Sequence, residues 1–257
     1  MPEIKPSPGD HTTPWKLRIS RWLDLLYPPR CASCDETLHF GRSLCAGCEA
    51  SLPILTDPFC QSCGEPFEGK IDDTFDCPNC NKINFAFTFA RPAFSRDDSL
   101  LQIIHQLKYG RQIHLATELG RLTTSAFTDP RLAPALTENW PLIPVPLHPK
   151  RQRQRHFNQA EEISRGISKN LRLPIVKALK RLKNTTTQTQ LSRRERQNNL
   201  KNAFALTRSG HRLLTSKPPG VILVDDVLTT GSTMDACAKT LRKAGFKNIV
   251  AVTVMRG

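Results

Sequence analysis

Eight cysteines fall into four Cys-x-x-Cys pairs between Cys31 and Cys80, and no other feature limits so tightly what this chain can fold into. Cys31-Ala-Ser-Cys34 is followed after ten residues by Cys45-Ala-Gly-Cys48, and Cys60-Gln-Ser-Cys63 after thirteen by Cys77-Pro-Asn-Cys80. A two-residue spacer lets both sulfurs of one turn converge on an ion, and two such turns complete a closed tetrahedral shell of thiolates. Eight ligands therefore predict two structural Zn2+ sites. Sequential pairing, Cys31, Cys34, Cys45 and Cys48 on one ion and Cys60, Cys63, Cys77 and Cys80 on the other, closes the shortest loops; the spacing also accommodates an interleaved arrangement. Redox dithiols, a disulfide framework and an iron–sulfur cluster are the competing readings, but a redox dithiol ordinarily occurs once, beside a βαβ unit. Four thiolates leave no open position for a substrate, so these sites stabilise the fold rather than react. His39 reads as a satisfied or exposed histidine and not as a ligand.

Around the cysteines the chain divides into three segments. Residues 1–14 are rich in Pro and polar side chains and are expected to form a disordered leader. From Trp15 to Tyr27, apolar Trp15, Ile19, Trp22, Leu23 and Leu26 recur at helical spacing until Pro28 and Pro29, so residues 15–85 read as an amphipathic helix followed by a double ribbon. Residues 86–257 change character. Helices are predicted over Ser99–Lys108, His114–Phe127, Phe157–Leu171 and Ser232 to the stop at Gly245; strands are predicted over Pro141–Pro146, Leu173–Val176, Gly220–Val227 and Asn248–Met255. Strands alternating with helices imply a parallel sheet flanked by helices, an α/β domain. Cys237 shares the apolar face of the last helix with Met234, Ala238 and Leu241 and reads as a buried thiol.

The net charge of +14 favours anionic partners. Much of it lies in Lys150–His156, Lys177–Lys183 and Arg193–Lys201, basic loops that suit single-stranded DNA as well as a phosphorylated small molecule. With 7% aromatic residues the chain offers few stacking platforms, so nucleic-acid binding is expected to be mostly electrostatic. The absence of a signal-peptide core or an apolar run of membrane-spanning length points to a cytoplasmic chain without a transmembrane segment.

The strand ending Val221–Thr233, VILVDDVLTTGST, carries the chemistry. Asp225 and Asp226 arrive at the carboxyl end of a buried strand, where open α/β sheets bind ligands. Thr229, Thr230, Gly231, Ser232 and Thr233 then form a small polar turn into a helix N-terminus, where unpaired N–H groups, hydroxyls and the helix dipole suit a phosphate. Carboxylates repel phosphate, so they must face another part of the same ligand, and vicinal ribose hydroxyls fit. The ligand inferred is a ribose 5-phosphate moiety. Neither a Walker loop nor a dinucleotide fingerprint occurs.

These 13 positions resemble the phosphoribosyl pyrophosphate (PRPP) motif of type I phosphoribosyltransferases. Together with the cysteine pairs, PVPLHPKRQRQRHFNQA (Pro144–Ala160) and RLKNTTTQTQLSRRERQNNLKNAF (Arg181–Phe204), they make the chain from about Leu23 onward similar to the ComF/GntX family, which is linked to natural competence and DNA utilisation. The resemblance implies a type I phosphoribosyltransferase-like parallel sheet flanked by helices, with a small N-terminal double zinc-ribbon module. It implies that Asp225 and Asp226 contact the ribose hydroxyls, that Thr229 to Thr233 cradle the 5-phosphate, and that the turn at His148, Pro149, Lys150 and Arg151 meets the pyrophosphate. It further implies a mobile loop around Gln190–Asn199; Arg193, Arg194 or Arg196 of that loop could close the site, and Arg193 is assigned the role. His156 departs from the pattern, since the family usually has glycine there.

Displacing pyrophosphate from the anomeric carbon builds negative charge on the leaving group, which Mg2+, Lys150 and Arg151 would meet. Loop closure would exclude water. The function expected is PRPP binding and phosphoribosyl transfer in DNA uptake or utilisation, with single-stranded DNA and DNA-translocation proteins as partners. The alternatives are a non-catalytic DNA-binding adaptor that senses PRPP or a nucleotide, and an ordinary salvage or amidophosphoribosyltransferase.

Overall fold

The computed structural model describes residues 28–38, 42–69, 77–80, 83–183 and 200–257. The leader, the Trp15–Tyr27 helix, His39, Arg193 and the Gln190–Asn199 loop expected above lie outside them. The chain divides into two compact units, Met1–Ala50 and Ser51–Gly257. In the first, the cysteine turn runs into a short helix, α1 (Ala46–Ala50).

The second unit is built on four parallel strands: β1 (Ala90–Phe94), β2 (Leu142–Pro144), β5 (Val221–Leu228) and β6 (Ile249–Arg256), in the order β1-β6-β5-β2. All eight residues of β6 and the first four of β5 are buried. A parallel sheet is covered by helices on both faces, so its central strands read as continuous apolar runs. Between β1 and β2 come α2 (Asp98–Tyr109), α3 (His114–Thr123) with a 3₁₀ extension, and α4 (Ala133–Thr137). After β2 follow α5 (Pro149–Arg155), α6 (Gln159–Leu171), an antiparallel pair β3 (Leu179–Arg181) and β4 (Phe204–Leu206), and α7 (Arg208–Thr215); α8 (Ser232–Ala244) joins β5 to β6.

Local chemistry sets the ends of these helices. Asp97, Asn158 and Thr207 cap α2, α6 and α7 by accepting N–H bonds from Leu100, Ala160 and Gly210 at 2.7, 3.1 and 3.0 Å. Gly245 ends α8 with φ 115°, the left-handed stop expected. Helices α3 and α6 cross at Gly120 and Gly166, where a Cβ on Gly120 would lie 2.4 Å from the Ile163 carbonyl oxygen.

Two expectations change. Leu173–Val176 is not a strand: it makes a single parallel bridge, Ile175 with Leu142, because Pro174 has no N–H to extend the ladder. The segment at His148–Arg151 is the cap and first turn of helix α5, with His148 Nδ1 accepting from the Lys150 N–H at 3.2 Å.

Candidate functional site

The two cysteine clusters repeat one local design. In Cys31-Ala-Ser-Cys34-Asp35-Glu36 and Cys60-Gln-Ser-Cys63-Gly64-Glu65, the first cysteine N–H donates to the glutamate carbonyl at 2.8 Å, and the residue after the second cysteine turns left-handed, Asp35 at φ 63° and Gly64 at φ 68°. Within each group of four the sulfurs lie within 4.8 Å of one another, and the pairing is sequential. Cys34 and Cys45 are 3.7 Å apart, and Cys60–Cys80 and Cys63–Cys77 each 3.8 Å. A tetrahedral ion with Zn–S bonds of about 2.3 Å spaces its sulfurs about 3.8 Å apart. These separations are far too long for disulfides, and thiolates that bind separate irons of a cluster stand farther apart. The residues fit two structural Zn2+ ions. Such an ion holds all four ligands as thiolates: a hydrogen bond from Cys63 already draws Cys60 down to about 4, whereas burial pushes Cys80 up to about 12.

The acid pair sits within β5, which continues to Leu228. Successive strand residues face opposite sides of a sheet, and the two aspartates do. Asp226, 4% exposed, is turned toward α2 and forms an ion pair with Lys108. Asp225, half-buried, has Cys237 of α8 and Arg181 of β3 as electrostatic neighbours, and its Oδ1 accepts the Asp226 N–H at 2.9 Å. Their titration diverges accordingly. Burial, reinforced by the Asp226 charge, pushes Asp225 well above the usual carboxylate range. Burial opposes ionisation of Asp226 too, but Lys108 holds it low.

The polar turn follows directly. Gly231, at φ 74°, serves as the N-cap of α8 and has no side chain to cap it; the Ser232 N–H donates over a long 3.4 Å to Thr230 Oγ1, and the helix dipole points its positive end at this turn. Thr230 and Ser232 share a hydroxyl hydrogen bond of 2.9 Å; Thr229 is exposed, and Thr233 is half-buried.

On the Asp226 side lies a cavity of about 330 Å³ lined by Lys108, Tyr109, Arg111, Arg151, Gln154 and Arg155. Arg151 and Arg155 share one face of α5, being four residues apart. Lys150 is exposed and is not among the lining residues, so of the two cations expected at a pyrophosphate the structure brings only Arg151 to this cavity. Arg155 lies over the Tyr109 ring, 5.3 Å from its centroid, although Tyr109 remains 71% exposed. Lys108, Tyr109 and Arg111, which lie in a Lys-Tyr-Gly-Arg turn between two helices, carry no assignment in the sequence, whereas Arg155 belongs to the basic cluster Lys150–His156 without being singled out there. His156 closes α5 at φ 66°, a left-handed position where glycine is free of strain, so the histidine keeps the backbone turn that the glycine of the family pattern would make.

Comparison with known proteins agrees with this arrangement. Residues 22–83 match the double zinc ribbon domain and residues 158–257 the phosphoribosyl transferase domain. The chain is 34% identical to competence protein F of Haemophilus influenzae over 86% of its own length and 93% of that protein. It is 31% identical to the DNA utilization protein YhgH of Escherichia coli, across 86% of this chain and 94% of that one. With competence protein ComFC of Bacillus subtilis it shares 21% identity over 79% and 80%. Two four-cysteine clusters, an acid pair and polar turn on a parallel sheet, and identity running nearly the whole length of its relatives leave one conclusion: the chain belongs to the ComF/GntX family.

Proposed function

We propose that the larger unit binds PRPP as its Mg2+ complex and that the protein acts in DNA uptake or utilisation in the cytoplasm; the relatives named for competence and for DNA utilization support the second part. One observation carries the reading: the acid pair of β5 runs into the polar turn and N-terminus of α8, and through Lys108, which pairs with Asp226, it adjoins a cationic cavity. Asp225 is the acid placed to accept hydrogen bonds from ribose hydroxyls, while Asp226, held by Lys108, sets the backbone and charge beside it. Thr229 to Thr233 offer hydroxyls and N–H groups to the 5-phosphate. Arg151, with Lys108 and Arg155, offers positive charge to the pyrophosphate as the anomeric C–O bond breaks and the leaving group takes the electron pair. Bound Mg2+ would neutralise the leaving group further. Among the described residues we assign no base-recognising hood, so the acceptor stays unnamed.

Calorimetric titration with PRPP and Mg2+ tests the reading. Binding should be saturable in the wild type and lost in the Asp225→Ala, Asp226→Ala double variant; undiminished affinity would refute the ribose assignment.

A second reading, a non-catalytic adaptor for single-stranded DNA, is supported by the exposed Tyr109 ring beside Arg111 and Arg155, a base-stacking platform next to phosphate-binding cations. Pyrophosphate release from PRPP, measured with a panel of bases and amines, separates the two: turnover with any acceptor favours transfer, and none favours the adaptor.

A further inference from the structure

The second cysteine cluster is joined to the phosphate turn by two independent routes. The first runs through charge. Closing the Cys60–Cys63 turn fixes the backbone of Glu65, whose carbonyl accepts the Cys60 N–H at 2.8 Å. The Glu65 carboxylate forms an ion pair with Arg256, the last residue of β6, which is 4% exposed. The other arm of that guanidinium, Nη1, donates to the carbonyl of Leu228 and to those of Thr229 and Gly257, the latter two at 2.7 Å. Arg256 thus grips the backbone on which the polar turn begins.

The second route runs through packing. Phe85 packs against the buried sulfurs of Cys60, Cys63 and Cys77, and its ring lies where a Cβ on Gly231 would meet it at 3.0 Å. One residue later, the Ala86 N–H donates to the Asp235 carboxylate, in the first turn of α8, at 2.8 Å. The turn that offers N–H groups to a phosphate is therefore backed by a metal-organised surface.

From this geometry we infer that the second knuckle is a positioning element for the sugar-phosphate site. Metal held by Cys60, Cys63, Cys77 and Cys80 orders Glu65 and Phe85, and these hold Thr229 to Gly231 in the conformation that receives the anion. Glu65 and Arg256 are positioning residues that touch no substrate. The inference rests on the PRPP reading above for the identity of the ligand, though not for the coupling itself. The first knuckle supplies a matched control. Glu36 occupies the place of Glu65 in the repeat, and its carboxylate lies 4.0 Å from Cys34 Sγ.

The test compares full-length, zinc-loaded wild type with Glu65→Ala, Glu65→Gln and Glu36→Ala. Amide hydrogen exchange of the peptide spanning Thr229–Ser232 is measured without ligand, PRPP affinity by titration, and zinc by metal analysis. Losing a charge-assisted bond to a buried guanidinium should weaken PRPP binding by roughly tenfold in Glu65→Ala and less in the isosteric Glu65→Gln, with faster exchange in the turn and unchanged zinc. Glu36→Ala should match wild type throughout. Wild-type exchange and affinity in both Glu65 variants would overturn the coupling, as would zinc loss in them, which would make Glu65 part of the metal shell. If the wild type itself fails to bind PRPP, the ligand reading falls while the exchange comparison still decides the coupling. Should Glu65→Ala not fold, Glu65→Gln carries the same comparison.

Discussion

Replacing Lys108 with methionine probes the least obvious contact in the site. Methionine preserves most of the aliphatic packing and removes only the ammonium. The Lys108 side chain is 19% exposed and that of Asp226 6%, so the variant leaves a carboxylate without its counterion in a nearly dry place. Breaking one partner of a fully buried pair costs about 3 to 5 kcal/mol. Asp226 has an escape, however, because it can take up a proton. At pH 7 that costs about 1.4 kcal/mol per pH unit over roughly three units above the ordinary aspartate value, a ceiling near 4 kcal/mol. The expected loss is therefore about 2 to 4 kcal/mol at pH 7, falling to at most about 1.5 kcal/mol at pH 5. The sign reverses that of the wild type. There Asp226 titrates below its usual range, and the pair contributes stability that is present above the ordinary aspartate value and lost as pH falls through the folded one. In Lys108→Met the folded value is raised, so stability is present at low pH and lost as pH climbs through it. Urea unfolding of zinc-loaded protein at several pH values measures both curves, and Asp226→Asn provides the second corner of a double-mutant cycle. In that background Lys108→Met should cost less than about 1 kcal/mol. A loss independent of pH, or strictly additive losses, would refute a Lys108–Asp226 pair.

Metal analysis of reduced protein should find about two zinc ions per chain, and a value near zero would remove both thiolate sites. Gly231→Ala puts a side chain on a φ of 74° against Phe85, so a loss of about 1 to 2 kcal/mol and weaker PRPP binding are expected in thermal unfolding and titration; unchanged melting would show the turn to be more pliant than drawn. Tyr109→Ala with Arg155→Ala should weaken single-stranded DNA binding severalfold while the remaining binding keeps its steep salt dependence; a salt-independent interaction would contradict phosphate contacts.

Much of this protein was legible from local pattern. Cys-x-x-Cys spacing specifies a four-thiolate shell because the two intervening residues determine how sulfurs converge, and the sequential pairing followed from loop closure. Gly220–Val227 and Asn248–Met255 read as buried strands from mostly apolar runs without alternation, and the structure has them at Val221–Leu228 and Ile249–Arg256; Gly245 marked the end of α8 by the left-handed backbone it tolerates easily. Short elements were harder. β1, β3 and β4 span five, three and three residues, too few to show a period, and Pro149-Lys-Arg-Gln-Arg-Gln-Arg155 forms a helix without an apolar face because α5 buries none of its residues.

The sequence alone determined the two metal-binding units, the parallel α/β class and the coincidence of acids with a phosphate-type turn, since each depends on residues near one another in the chain. Only the tertiary structure decided how those parts divide the work. A period of two says that Asp225 and Asp226 face opposite sides of the sheet but not what covers either side. The crossover through α2 brings Lys108 to one of them, and the end of β6 brings Arg256 between the second thiolate cluster and the phosphate turn. Contacts between distant segments are set by how helices and strands pack, and no local pattern records that.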